Sequence, residues 1–238
     1  MTTIERNLQQ VRERLRQACA QAGRDANAVA LLAVSKTFDA DAVCLALDAG
    51  QHAFGENYVQ EGTEKIEALR SLRPDAALQW HCIGPLQSNK TRPVAERFDW
   101  VQSVDRLKIA QRLSEQRPAG LPDLQVCLQV NVDAGVNKSG VAPEALAELA
   151  LAVAQLPRLK LRGLMCIPEP APDFATQRDL FLRAKVLFDQ LNAQGLALDT
   201  LSMGMSDDLE AAVAAGSTLV RVGRGVFGSR PAKVTSGV

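Results

Sequence analysis

Eight short runs rich in apolar and β-branched residues recur along the chain, at about 29–35, 51–55, 78–83, 99–103, 124–131, 159–165, 198–202 and 218–222. Between them, at 39–49, 57–70, 88–97, 105–116, 143–155, 174–194 and 206–215, apolar residues return at helical spacing, as Leu146, Leu149 and Val153 do. Strands that alternate with helices lie parallel, because each helix carries the chain back across the sheet. An open doubly wound sheet gives a similar alternation, but eight is the number that closes a (β/α)8 TIM barrel, and 238 residues suit one. The expectation is an α/β chain forming a single barrel.

Ahead of the first run, Ile4, Leu8, Val11, Leu15 and Cys19 share one helical face, Thr2 and Glu5 make a capping-box pattern, and Gly23 suits the end of the helix. An extra N-terminal helix is therefore predicted. The hydrophobic fraction, 47%, is enough to bury one sizeable core, so a single domain is expected over 1–228, with a tail at 229–238 that has little to bury.

Composition removes several classes of function. Lys plus Arg and Asp plus Glu both total 27, so no net field favours nucleic acid or an anionic membrane. The opening MTTIERNLQQVRERLRQACAQ has no apolar core of an export signal, and nowhere do 18 apolar residues follow one another. Cys19, Cys44, Cys82, Cys127 and Cys166 are odd in number and set mostly in apolar runs, which suits reduced thiols and a cytoplasmic protein. With two histidines, His52 and His81, and no paired Cys-x-x-Cys, no metal site is expected.

Barrel chemistry collects where the loops after the strands converge. The residues that packing explains least all fall at that end: Ser35-Lys36, Gly55 to Tyr58, His81, Asn131, Ser202 to Ser206, and Arg221 to Gly225. Lys36 ends the apolar run LLAVS. It reads either as a strand-end lysine snorkelling to solvent or as a desolvated amine able to attack a carbonyl and form an imine. Position alone does not separate these readings. The loops after the seventh and eighth strands are where many barrels hold a phosphate, with backbone N–H groups and a helix start. Here Ser206 opens the predicted helix 206–215, while Gly223, Arg224 and Gly225 offer close backbone approach. Ser206 also reads as a plain N-cap, and Gly-x-Gly as a tight turn. Glu56 reads more simply as a charge at a helix start than as an acid or base, and His81 as a satisfied interior histidine. No Gly-x-Ser-x-Gly elbow or Cys-His pair suggests a hydrolase.

The strings AVSKT (33–37), FGENYVQE (54–61), WHCIGPLQSNK (80–90), NKSG (137–140), LRGLMCIP (161–168), LSMGMSDDLEAAVAAGSTLVRVG (201–223) and VFGSR (226–230) together resemble the YggS/PROSC family of pyridoxal phosphate homeostasis proteins, in order and over nearly the whole chain. The resemblance implies a barrel similar to the N-terminal domain of alanine racemase, with pyridoxal 5′-phosphate (PLP) held as a Schiff base on Lys36. It further implies a phosphate cup at Ser206, Gly223 and Arg224, and Arg221 facing the pyridine nitrogen. Asn57, His81 and Met203 lie in motifs that line the family's pocket, and Lys138 resembles a lysine that offers PLP a second place. Two positions depart from the family's usual pattern: Arg224 stands where threonine is common, and Phe38-Asp39 where Lys-Pro is common.

The implied function is a cytoplasmic, monomeric carrier or buffer in vitamin B6 homeostasis, with PLP-dependent apo-enzymes as recipients and no catalytic turnover. An amino-acid racemase is the alternative. A two-base racemase needs a second acid or base opposite the lysine, and Tyr58 is the sole tyrosine. A phosphate-binding barrel without PLP would be colourless.

Overall fold

The computed structural model describes residues 1–133 and 139–229. Lys138 and all but the first residue of the expected tail lie outside them. The first helix, α1 (Thr3–Gln21), begins with a capping box between Thr2 and Glu5, and Gly23 follows its C-cap Ala22. Eight strands then close into a barrel in chain order: β1 (Ala30–Val34), β2 (Ala53–Glu56), β3 (Gln79–Cys82), β4 (Trp100–Val104), β5 (Leu124–Gln129), β6 (Leu159–Met165), β7 (Thr200–Ser202) and β8 (Leu219–Val222). Every neighbouring pair is parallel, and β1 closes on β8 with Leu32 opposite Arg221. The helices between them are α2 (Ala40–Asp48), α3 (Val59–Leu72), α4 (Thr91–Arg97) after a short 3-10 turn, α5 (Leu107–Gln116), α6 (Pro143–Ala154), α7 (Phe174–Ala193) and α8 (Leu209–Ala214). A four-residue α9 (Arg224–Phe227), which the periodicity did not announce, follows β8.

Strand alternation sorts the side chains into two cores. Ala33, Phe54, Trp80, Val101, Leu128, Leu164, Leu201 and Val220 join the large cluster between sheet and helices. The barrel interior holds smaller clusters: Leu32, Val34, Ile83 and Leu219 in one, and Trp100, Cys127 and Met165 in another. Between these apolar groups runs a polar row, which carries the chemistry described below. All five cysteines lie among the described residues, and no disulfide joins any of them.

One helix start differs from expectation. The helix after β7 begins at Leu209 with Asp208 as its N-cap, three residues later than 206. The preceding turn closes on itself, because the Asp208 carboxylate accepts the Met205 N–H at 2.6 Å. Ser206 is therefore a loop residue and not a cap.

Candidate functional site at the barrel mouth

A cavity of about 590 Å³ opens at the C-terminal ends of the strands. Its lining includes Lys36, Asn57, Ser206, Arg221, Gly223 and Arg224, with apolar walls from Val34, Phe38, Ile83, Ile167 and Met205. Six of the eight residues singled out from the sequence thus share one space. The other two do not line it.

His81 lies one layer down. Gln79, His81 and Ile83 follow one another at period two, and Ile83 lines the cavity while His81 is fully buried, stacked on Trp100 with ring centroids 5.0 Å apart. Met203 points the other way. Ser202 turns its hydroxyl into the barrel, so its neighbour Met203 faces outward into the cluster under the helices, and Met205 is the methionine at the mouth.

Arg221 is 4% exposed, and burial lowers its pKa. Its Nη1 donates to the Ser202 carbonyl at 2.8 Å and hydroxyl at 2.6 Å, and its Nη2 to the Cys166 carbonyl at 3.0 Å. A guanidinium can only donate, which sets the polarity of everything behind it. The Ser202 hydroxyl gives its own proton to Gln102 Oε1 at 2.6 Å, and Gln102 Nε2 donates to His81 Nδ1 at 2.8 Å. The His81 proton therefore sits on Nε2 and is accepted by Gln79 Oε1 at 3.0 Å. Burial pushes the imidazole pKa down to about 3, so it stays neutral. His81 thus supports Arg221 through two intermediaries.

Lys36 stands in the turn after β1 and is half-buried. Beneath it lies a pair that the sequence did not disclose. Glu56, read there as a helix-start charge, is 1% exposed and accepts from Lys65 Nζ and from Ser35 Oγ, each at 2.6 Å. Burial raises the Glu56 pKa, and the contacts with Lys65 and Ser35 oppose that rise. The nine-residue separation of Glu56 and Lys65 spans a strand end and a helix turn, so no periodicity would have paired them.

The loops after β7 and β8, the second of them beside the Lys36 turn because β8 pairs with β1, are built for close approach. Gly204 adopts φ +95°, and a Cβ there would lie 2.5 Å from that of Ala212. At Gly225 a Cβ would meet Val222 Cγ1 at 2.8 Å and Val11 Cγ2 at 3.2 Å, which shows how tightly α1 seats on the second loop. In the first turn of α9 the N–H groups of Arg224 and Gly225 have no partner within the helix. The Arg224 side chain is exposed at the rim. Gly228 and Ser229 also line the cavity, a role the sequence reading did not assign to them. Phe38 and Asp39 have clear tasks: Phe38 stacks on Phe227 at 5.0 Å, and Asp39 caps α2 through the Ala42 N–H at 2.9 Å. Among the described residues no group of three His, Cys, Asp or Glu side chains is placed to hold a metal ion.

An amine stands at one wall, a buried guanidinium faces the interior, apolar side chains flank the space, and two small-residue loops leave room for an anion.

Residues 5–231 match the family described as "Alanine racemase, N-terminal domain". The pyridoxal phosphate homeostasis protein of Pseudomonas aeruginosa is 60% identical over 230 residues, covering 97% of each chain. The protein of the same name in Escherichia coli K12 is 52% identical over 97% of this chain and 98% of its own. Among solved structures, PipY of Synechococcus elongatus with PLP bound superposes with a TM-score of 0.82 at 37% identity, over 95% of this chain and 100% of that one. The chain belongs to the alanine racemase N-terminal domain family and, within it, to the pyridoxal phosphate homeostasis proteins.

Proposed function

We propose that this protein binds PLP covalently at Lys36 and serves as a cytoplasmic carrier or buffer in PLP homeostasis, acting as a monomer that passes PLP to apo-enzymes without turning over a substrate. The observation that carries the reading is the meeting of Lys36, Arg221 and the Ser206 and Gly223–Arg224 loops around one cavity. When bound, PLP supplies an aldehyde that condenses with an amine, forming C=N and releasing water without any change of oxidation state.

Each residue has a distinct task in this reading. Lys36 provides the amine. Ser206 and the backbone of Gly223 and Arg224 hold the phosphate, and the Arg224 guanidinium adds a charge at the rim. Arg221, pinned by Ser202 and Cys166, faces the ring nitrogen as a donor and so disfavours protonation there, which weakens the ring as an electron sink. Asn57, which lines the cavity just after β2, would border the ring.

Absence of turnover is supported by the placement of the sole tyrosine. Tyr58 is 60% exposed and outside the cavity lining, so it does not oppose the amine as a second base would. The test is a paired assay of purified, PLP-loaded protein: racemisation of alanine and other amino acids, and reactivation of a PLP-dependent apo-enzyme. Reactivation without racemisation is expected. Racemisation that Lys36→Ala abolishes would refute the carrier.

A further inference from the structure

The buried ion pair below the mouth grips both peptide groups that flank Lys36. Lys65 is 5% exposed, and its ammonium has three protons to donate. They go to Glu56 Oε1 at 2.6 Å, to the carbonyl of Ser35 at 2.9 Å and to Glu61 Oε1 at 3.1 Å. The Ser35 carbonyl belongs to the peptide bond that enters Lys36. Glu61 Oε1 in turn accepts the N–H of Thr37, which belongs to the peptide bond that leaves it. The Ser35 hydroxyl closes the ring by donating to Glu56 Oε1 at 2.6 Å.

Thr37 needs such a grip. Its φ is +70°, a left-handed conformation that a β-branched residue rarely adopts, and one that persists only where surrounding contacts over-determine it. Strain after Lys36 and hydrogen bonds on both sides of it are the marks of a backbone fixed in advance. An amine that must meet an aldehyde held elsewhere in the cavity gains from that, because reaction depends on near-contact geometry.

We propose that Lys65 is the positioning residue of Lys36: through Ser35 and, by way of Glu61, through Thr37, it sets the direction in which the Lys36 amine enters the cavity. The inference rests on Lys36 as the covalent site. Lys65 itself is not among the residues that line the cavity.

The test compares the wild type with a Glu56→Gln/Lys65→Met double variant, which removes both charges and leaves no carboxylate buried alone. Three readouts are taken: hydrogen exchange of the Thr37 amide in the ligand-free protein, affinity for pyridoxine 5′-phosphate, and the rate of borohydride-trapped capture of PLP on Lys36. Pyridoxine phosphate carries an alcohol in place of the aldehyde and so reports the cavity alone. Faster exchange at Thr37, unchanged affinity for the alcohol, and capture slowed by about tenfold or more are expected. Capture at the wild-type rate by a folded double variant overturns the proposal, as does an equal loss in affinity for the alcohol, which would mean general loosening. Should the double variant not fold, Glu61→Ala keeps the buried pair and releases Thr37 alone. Slowed capture with faster Thr37 exchange then supports the proposal, and wild-type behaviour in both contradicts it. A wild type that captures nothing on Lys36 would instead remove the functional reading, and the exchange of Thr37 would still decide whether the clamp exists.

Discussion

Arg14, on the N-terminal helix, donates through Nη1 to the carbonyl of Ser206 at 2.6 Å while its Nε and Nη2 hold the Glu210 carboxylate. Glu210 stands in the first turn of α8, and its carboxylate raises the pKa of Arg14 just as Arg14 lowers that of Glu210. Asn7 of the same helix donates to the Val226 carbonyl at 3.0 Å, next to the second loop. The extra helix therefore braces both loops of the proposed phosphate cup from outside.

Arg14→Met should loosen the Ser206 loop while leaving the barrel folded. The half-exposed ion pair contributes little by itself, so stability should fall by about 1 kcal/mol or less. Affinity for PLP should fall about three- to tenfold, with no comparable change for pyridoxal, which has no phosphate. Isothermal titration with both ligands checks this, and equal losses for the two would show that α1 does not act through the phosphate.

Gly204→Ala should be among the most damaging single changes near the site. The added methyl meets both a left-handed backbone and Ala212 at 2.5 Å. The two effects together should cost about 2–4 kcal/mol, read as a lower urea midpoint at unchanged slope. A loss under about 0.5 kcal/mol, the size of an ordinary surface change, would show that the turn adapts freely.

His81 should contribute to the acid limb of the stability profile. Its pKa is near 3 in the folded protein against 6.5 for the free group, so between those values the unfolded chain binds a proton that the native protein refuses. Stability should therefore fall as the pH drops from 6.5 toward 3, with this one group contributing a slope of up to ~1.4 kcal/mol per pH unit. His81→Gln cannot take up that proton. Urea denaturation across the window should show a shallower acid limb for the variant, and identical limbs would mean that the interior histidine titrates freely.

Strand parity made most of this fold legible, and its neglect explains what was misplaced. The eight runs stand out because parallel strands covered on both faces are apolar almost throughout, and Lys36 stood out because it breaks such a run. The same alternation separates Ser202 from Met203 and His81 from Ile83, yet reading whole motifs as pocket lining merged them. Ser206 reads from the sequence as a helix start, but Asp208 closes the turn before the helix on the Met205 N–H. The Glu56–Lys65 pair had no sequence signal, since a buried ion pair depends on which turn of α3 lies over the end of β2. Arg14 was equally hidden: its partner Glu210 is 196 residues away.

The most direct test of the account is borohydride reduction of the PLP-loaded protein followed by peptide mass mapping. A yellow protein with one principal pyridoxyl adduct on Lys36, lost in Lys36→Ala, is expected. An adduct mainly on Lys138 or any other lysine, or no adduct at all, would contradict it.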